Sequence, residues 1–197
     1  LALAAALRRD GAEVVRAWPV GDRPEELRAW LDTTTSTCDL VILTGGASVG
    51  AFDVVRDVLE AAGGVFRHVR VQPGKPQGWA VWAGGTPVVA LPGNPLSASL
   101  SYATFVRPML ARILGMRPAD EFMAIAETSW TSPTGRRQLV PVRLSSASDG
   151  RLLAQPSHRR GSASHVVTSL AEADAIAVVA EDVTEVAAGD LVRVRWL

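Results

Sequence analysis

The segment VVALPGNPLSASLSYA, residues 88–103, restricts the possible folds of this chain more than any other part of the sequence. Its apolar run is typical of a buried strand, and it stops at Pro-Gly-Asn-Pro directly before a helical pattern. The two prolines fix the backbone on either side of the loop, and the first turn of a helix has free amide groups. The segment therefore predicts a strand, a rigid loop and a helix start that suits an anion.

Strands alternate with helices over the first part of the chain. DLVILTGG is an unbroken apolar run, typical of a strand buried on both faces, and FDVVRDVLEAAGG has helical periodicity that ends at two glycines. AEVVRAWPV predicts a short strand, and GWAVWAGGTPVVAL predicts a hairpin that turns at Gly84 and Gly85. This alternation favours a mostly parallel sheet with helices on both faces, which is a three-layer α/β domain.

The pattern changes after MRPADEF, where short β-rich runs are separated by Gly, Ser, Pro and Asp. Such runs predict a small all-β domain, either a barrel or a sandwich. We expect the two domains to comprise residues 1–118 and 119–197. The chain begins without Met inside a helical pattern, so we also expect a fragment that lacks its first strand and further upstream domains.

The composition argues against several classes of partner. Lys plus Arg equals Asp plus Glu at 20 each, so no net charge attracts nucleic acid or a membrane surface. The opening apolar run is too short to span a bilayer. Cys38 is the only cysteine and cannot form an internal disulfide, which favours the cytoplasm. The three histidines are scattered and lack the spacing of a metal site.

Three loops are predicted at the strand ends where α/β proteins bind ligands: TGGASVGAFD (residues 44–53), QPGKPQG (72–78) and LPGNPLS (91–97). Glycines in the first loop allow close backbone approach, or they make a simple strand-to-helix turn. That loop matches neither the Walker A motif nor the dinucleotide fingerprint. Asp53 is either a helix-start acid or a magnesium ligand, and Lys75 offers a point charge to a phosphate or another oxyanion.

In this order and spacing, the three loops resemble the molybdopterin molybdenumtransferase family, the MoeA-like enzymes that include the E domain of gephyrin. GRRQLVPVRL, GSASHVVTSLAEADAI and GDLVRVRW resemble the C-terminal β-domain of that family, so the resemblance covers nearly the whole chain. It implies a molybdopterin-binding α/β domain and a small β-barrel, the last two of four domains. It also implies that the full-length protein is a homodimer that uses Mg²⁺ to insert molybdate into adenylylated molybdopterin, with release of AMP.

The resemblance also implies roles for individual residues. Asp53 would serve magnesium and the phosphoanhydride, and Lys75 would act beside the oxyanion. Gln72 and His68 stand where the family usually has basic residues, which lowers the local positive charge. Together with the loop reasoning, it gives the substrate-binding residues Gly45, Gly46, Ser48, Gly50, Pro76, Pro92, Gly93, Asn94, Pro95, Ser97, Arg136 and Ser164.

Two alternative functions stay open from the sequence. A gephyrin-like protein would serve as an interaction scaffold by dimerising, and the zero net charge and separate β-domain permit this. A Mog-type molybdopterin adenylyltransferase shares the α/β domain. The Ser-Val-Gly-x-x-Asp continuation of the glycine loop and the attached β-domain favour the molybdenumtransferase over the Mog type.

Overall fold

The computed structural model describes most of the 197-residue chain. The described residues are 2–17, 19–45, 53–117, 120–158 and 168–197. Within these ranges, no helix is both long enough and apolar enough to cross a membrane.

The chain divides into two compact units. The first contains Leu1–Val69 and Gly74–Met116, and the second contains Arg70–Pro73 and Arg117–Leu197. Residues 70–73 therefore belong to the second unit although they lie within the first part of the sequence. The predicted boundary at residue 118 falls on residues outside those described, so it stays a prediction.

The first unit combines helices with a four-stranded sheet. Its long C-terminal helix is continuous, because a π-helical turn at Tyr102–Val106 joins two α-helical parts. The elements of this part of the chain are α1 (Ala2–Arg9), α2 (Pro24–Thr35), β1 (Val41–Thr44), α3 (Val54–Ala61), β2 (Val65–His68), β3 (Val71–Gln72, in the second unit), β4 (Pro76–Val81), β5 (Pro87–Leu91), α4 (Pro95–Ser101) and α5 (Arg107–Ile113).

The sheet of the first unit has the strand order β1-β5-β4-β2. β1 and β5 are parallel, whereas β5–β4 and β4–β2 are antiparallel. The sheet is thus mixed, and the prediction of a mostly parallel sheet was wrong for these strands. The connections from β2 to β4 and from β4 to β5 are short and contain no α-helix, whereas a parallel neighbour needs a longer crossover. The predicted hairpin turn at Gly84 and Gly85 is confirmed, and both glycines have positive φ.

Helices cover both faces of the β1–β5 pair, as a three-layer domain requires. Alternate residues of a strand point to opposite faces. In β5, Val88 and Ala90 belong to the core under α2 and α3, whereas Val89 and Leu91 belong to the core that includes α1 and the long C-terminal helix. This two-sided burial explains why these strands read as unbroken apolar runs.

Residues 12–17 and 19–20 form no strand, although AEVVRAWPV predicts one. Valine and tryptophan favour extended backbone, but a strand also needs a neighbour for its backbone hydrogen bonds. No described strand pairs with this segment. Val15 is exposed, so its apolar side chain contributes little to either core.

The second unit is a closed five-stranded barrel. Its ring runs β10-β12-β6-β9-β8 and closes by the pairing of β10 with β8. β3 adds to the outside of this ring as a parallel partner of β8. The elements are β6 (Glu121–Ala126), β7 (Trp130–Thr131), β8 (Arg137–Ser146), β9 (Leu152–Pro156), α6 (Thr168–Ala171), β10 (Ala175–Val179), β11 (Glu185–Val186) and β12 (Leu191–Trp196).

The long strand β8 closes the barrel because it serves two neighbours. Residues 138–142 pair with β10, and residues 142–146 pair with β9. The interior is filled mainly by alanine and valine side chains, such as Val140, Val142 and Ala177, which suit the narrow space inside five strands. The expectation of an α/β domain followed by a small β-barrel is confirmed, and the sandwich is excluded.

A buried acid joins α1 to the long C-terminal helix. The hydroxyl of Tyr102 donates to Oδ2 of Asp10 at 2.8 Å, and Nε of Arg107 lies 3.1 Å from the same oxygen. Arg9 pairs with Oδ1 at 3.2 Å, and the Asp10 side chain is only 8% exposed. Burial, followed by the hydrogen bond to Asp10, raises the pKa of Tyr102 well above its ordinary value.

We expect the ultraviolet absorbance of tyrosinate to appear at a higher pH in the folded protein than in urea. Tyr102 is the only tyrosine of the sequence, so the signal belongs to one group. Because its folded pKa is raised, the stabilisation by this cluster is complete below the unfolded pKa of about 10 and is lost as pH rises through the folded pKa. Asp10→Asn should move the folded transition to lower pH. Equal midpoints in the folded and unfolded protein would contradict this account.

Candidate functional site

The parallel pairing of β1 with β5 brings two of the predicted loops together. Thr44 pairs with Leu91 at the carboxyl ends of the strands, and the N–H of Gly45 donates to the carbonyl of Leu91 at 3.2 Å. A Cβ atom on Gly93 would lie 3.2 Å from the Cα of Gly45. Gly45 also has a φ of +85°, a conformation that favours glycine. The two loops therefore touch through backbone where neither has a side chain.

Asn94 caps the helix that follows the LPGNP loop. Its Oδ1 accepts from the N–H of Leu96 at 3.1 Å and from the N–H of Ser97 at 3.3 Å. Pro95 occupies the first turn, where the N–H that it lacks would have no helical partner. The sequence suggested that the backbone amides at this helix start bind an anion, but two of them already donate to the Asn94 side chain. The Ser97 side chain is buried.

Asp53 caps α3 in a similar way. Its carboxylate accepts from the N–H of Arg56 at 3.2 Å, and its backbone is extended. The residue is 7% exposed. The helix-start interpretation of Asp53 therefore has direct geometric support. A capping carboxylate of this kind also has further lone pairs for a hydrogen bond or a cation.

A magnesium ion at Asp53 would need ligands from the substrate. Among the described residues, no group of three or more His, Cys, Asp or Glu side chains could hold a metal ion. Mg²⁺ usually keeps several waters and takes one or two carboxylates together with phosphate oxygens. One carboxylate at Asp53 fits that pattern when a phosphate is present, but it does not form a metal site by itself.

The loop of Lys75 is held against α4, while the lysine side chain is exposed. The carbonyl of Lys75 accepts from the N–H of Val69 at 2.8 Å. Nε2 of Gln77 donates to the carbonyl of Gly74 at 2.8 Å and to Oγ of Ser101 in α4 at 2.7 Å. Lys75 is the only lysine of the sequence. It forms no ion pair with any described residue of the chain.

Arg136 lies in the second unit, directly before β8. Its Nη1 donates to Oε1 of Gln72 in β3 at 2.8 Å. Gln72 stands where a basic residue was expected from the resemblance, and its carbonyl oxygen can accept from a guanidinium, which a second cation cannot. His68 ends β2, where it pairs with Pro76 and is exposed.

The structure brings some of the predicted site residues together and places others in separate parts of the chain. Gly45 and the residues of the LPGNP loop lie together, and the loop of Lys75 contacts α4, the helix that begins at this loop. Asp53 is described at the start of α3, and Arg136 belongs to the other unit. Gly46, Ser48, Gly50 and Ser164 lie outside the described residues.

Sequence reasoning missed Gln77 and Ser101. The available signal was the spacing of Ser97 and Ser101, which places both serines on one face of the predicted helix. The second signal was Gln77 itself, a polar residue that directly follows PGKP in a predicted strand. Neither signal identified the partner, because the two residues that bond are 24 positions apart.

Two family models match consecutive parts of the chain. Residues 1–112 match the family described as "Probable molybdopterin binding domain", and residues 123–197 match "MoeA C-terminal region (domain IV)". The first match alone covers more than half of the chain.

Named relatives agree with these matches. The chain is 39% identical to molybdopterin molybdenumtransferase 2 of Mycobacterium tuberculosis, over 98% of this chain and 48% of the relative. It is 33% identical to molybdopterin molybdenumtransferase 1 of the same organism, over 100% of this chain and 47% of the relative. A solved molybdopterin biosynthesis MoeA protein from Pyrococcus horikosii has a TM-score of 0.77 and 30% identity, over 99% of this chain and 46% of its own. The chain spans about half the length of the curated relatives it matches.

The capping bonds of Asn94 give a stability prediction. We expect Asn94→Ala to lower the free energy of unfolding by about 1 kcal/mol, because the N–H groups of Leu96 and Ser97 lose their acceptor. Asn94→Asp is the matched control, since its carboxylate keeps an acceptor at the same place. The measurement is urea denaturation followed by far-ultraviolet circular dichroism. If both variants were equally stable, the cap would not hold this loop.

Proposed function

We infer the function of this chain from its family: it belongs to the molybdopterin molybdenumtransferases, the MoeA-like proteins. We propose that it forms the molybdopterin-binding and C-terminal part of an enzyme of molybdenum cofactor biosynthesis. The enzyme inserts molybdate into adenylylated molybdopterin and releases AMP. The observation that carries this proposal is the succession of a molybdopterin-binding domain and a MoeA C-terminal region in one chain. The attached C-terminal region also disfavours a Mog-type adenylyltransferase.

In this proposal, the touching glycines at the ends of β1 and β5 leave room for the pterin nucleotide close to the backbone. Gly45 and Gly93 lie at this point, and Pro92, which precedes Gly93 in the same loop, is buried. Gly46, Ser48 and Gly50 continue the same loop and are proposed to contact the phosphate. Because Asn94 already occupies two amides of α4, the positive charge for the oxyanion has to come mainly from a side chain.

Lys75 is the side chain in the first unit that best supplies this charge. It is exposed, its main chain is fixed, and it has no ion-pair partner among the described residues. An ammonium is a compact charge with three donors, which suits a phosphate or molybdate oxygen. Asp53 would hold magnesium together with phosphate oxygens, and a bound magnesium ion supplies neutralising charge to the phosphoanhydride. Pro76, Pro95 and Ser97 are proposed to complete the substrate contacts of the first unit, and Arg136 and Ser164 are proposed as substrate-binding residues of the second unit.

The rest of the proposal concerns the full-length protein. We propose a cytoplasmic homodimer that requires Mg²⁺ and contains further domains, in addition to this chain. The share of the relatives' length that this chain covers supports the presence of further domains in such an enzyme. The resemblance of the three loops supports the dimer and the magnesium requirement.

Lys75→Ala and Asp53→Asn test the proposed roles in the full-length protein. Lys75→Ala should weaken AMP binding with or without magnesium by roughly ten- to hundredfold, because a charge-assisted contact is worth about 1.5 to 3 kcal/mol. Asp53→Asn should mainly reduce the magnesium-dependent part of AMP binding and of molybdenum insertion. Asparagine is as good an N-cap as aspartate, so α3 should keep its cap. Calorimetry with and without Mg²⁺ measures both effects.

Melting temperatures and Lys75→Arg provide the controls. Lys75→Arg keeps a cation and should retain more affinity than Lys75→Ala. If both main variants inserted molybdenum at the parental rate, or lost activity only by unfolding, these loops would be structural and the site assignment would be wrong.

A further inference from the structure

One amide group fixes the loop that carries Lys75. The two hydrogens of Gln77 Nε2 serve two acceptors, the carbonyl of Gly74 at 2.8 Å and Oγ of Ser101 at 2.7 Å. Ser101 is only 1% exposed, so one of these acceptors belongs to the packed interior of the first unit. The amide therefore joins the loop of Lys75 to a buried position of α4.

The fit of Gly74 shows how closely this loop lies on α4. Its φ is +99°, and a Cβ atom there would lie 2.7 Å from Oγ of Ser101 and 3.6 Å from the carbonyl of Ser97. No other residue fits this conformation and this space without a shift. On the other side of the lysine, the carbonyl of Lys75 is held by the N–H of Val69. The main chain at Lys75 is thus fixed at two consecutive carbonyls.

We propose that Gln77 is a positioning residue, which holds the main chain at Gly74 so that the Lys75 ammonium is presented to an anion. The inference rests on the proposed function of Lys75 as the anion contact. A lysine side chain is long and flexible, so the positions that its ammonium can reach depend on where its Cα is fixed. A displacement of about 1 Å at a positioned group can cost up to a hundredfold in catalysis.

The chemistry of the amide makes the proposal specific to glutamine. A glutamate has the same length but no donor, so it cannot donate to the carbonyl of Gly74 and would place a carboxylate beside it. Gln77→Glu therefore removes the bond to the Gly74 carbonyl, although the Ser101 hydroxyl can donate to the new carboxylate, and the side-chain volume stays nearly constant. Gln155→Glu is the matched control, because Gln155 is also a half-buried glutamine in a strand, and it lies in β9 of the other unit.

The experiment is a double-mutant cycle in the full-length protein, with AMP and Mg²⁺ as the probe and calorimetry as the measurement. Gln77→Glu should weaken AMP binding about tenfold in the parental background and leave it unchanged in the Lys75→Ala background. Gln155→Glu should leave it unchanged in both. The same cycle is run with Gln77→Met, which has no donor and no charge, so that the loss of the Gly74 bond is measured apart from repulsion between a new carboxylate and AMP.

A second readout does not depend on the ligand. The folded protein is labelled with an amine-reactive reagent, and the label on the peptide that contains Lys75 is quantified by mass spectrometry. The labelling rate of Lys75 should change in the Gln77 variant and not in the Gln155 variant. An unchanged labelling rate, or an equal loss of AMP affinity in both backgrounds, would overturn the inference.

The two failures are distinguishable. If Lys75→Ala weakens AMP binding and the Gln77 variants do not, the positioning role is wrong and the proposed function stands. If Lys75→Ala alone leaves AMP binding unchanged, the proposed function of Lys75 is wrong, and the inference falls with it.

Discussion

The parallel pairing of β1 with β5 is the constraint on which the candidate site depends. Parallel strands end at the same edge of a sheet, so the register of Thr44 with Leu91 places the loops after both strands side by side. The pairing also buries both faces of these strands, one against α2 and α3 and the other against α1 and the long C-terminal helix. Glycine at positions 45 and 93 then permits the loops to touch through backbone.

Capping determines where the positive charge of the site can come from. A helix start offers free N–H groups to an anion only where no side chain occupies them. In this chain, Asn94 accepts from two such groups in α4, and Asp53 accepts from one in α3. The starts of both helices are therefore capped by side chains of this chain, and some of their amides are already satisfied. In the proposed function, the positive charge for an anion therefore has to come mainly from side chains, and Lys75 is the proposed source.

Local patterns predicted the elements whose signal is contained in a short stretch of sequence. The apolar runs of β1 and β5, the Gly84-Gly85 hairpin and the β-rich second unit were found in this way. Wrong predictions arose where long-range pairing decides: AEVVRAWPV has no described partner strand, and β4 is antiparallel to both of its neighbours, so the sheet is mixed. The candidate loops were visible through glycine and proline, whereas the bond of Gln77 to Ser101 depends on the folded chain.

The lysine at position 75 is unusual for this chain, because its other strongly basic residues are arginines. Every other basic residue counted among the 20 Lys and Arg is arginine, so arginine is the ordinary basic residue of this chain. Arginine presents a planar fork of donors, and Arg136 directs one of them to the Gln72 side chain. A lysine between two prolines, on a main chain fixed at Gly74 and Lys75, instead places a compact charge with three donors at the end of a flexible stem. Because an ammonium can donate in several directions, the fixed main chain sets where this charge can lie more than the head group does.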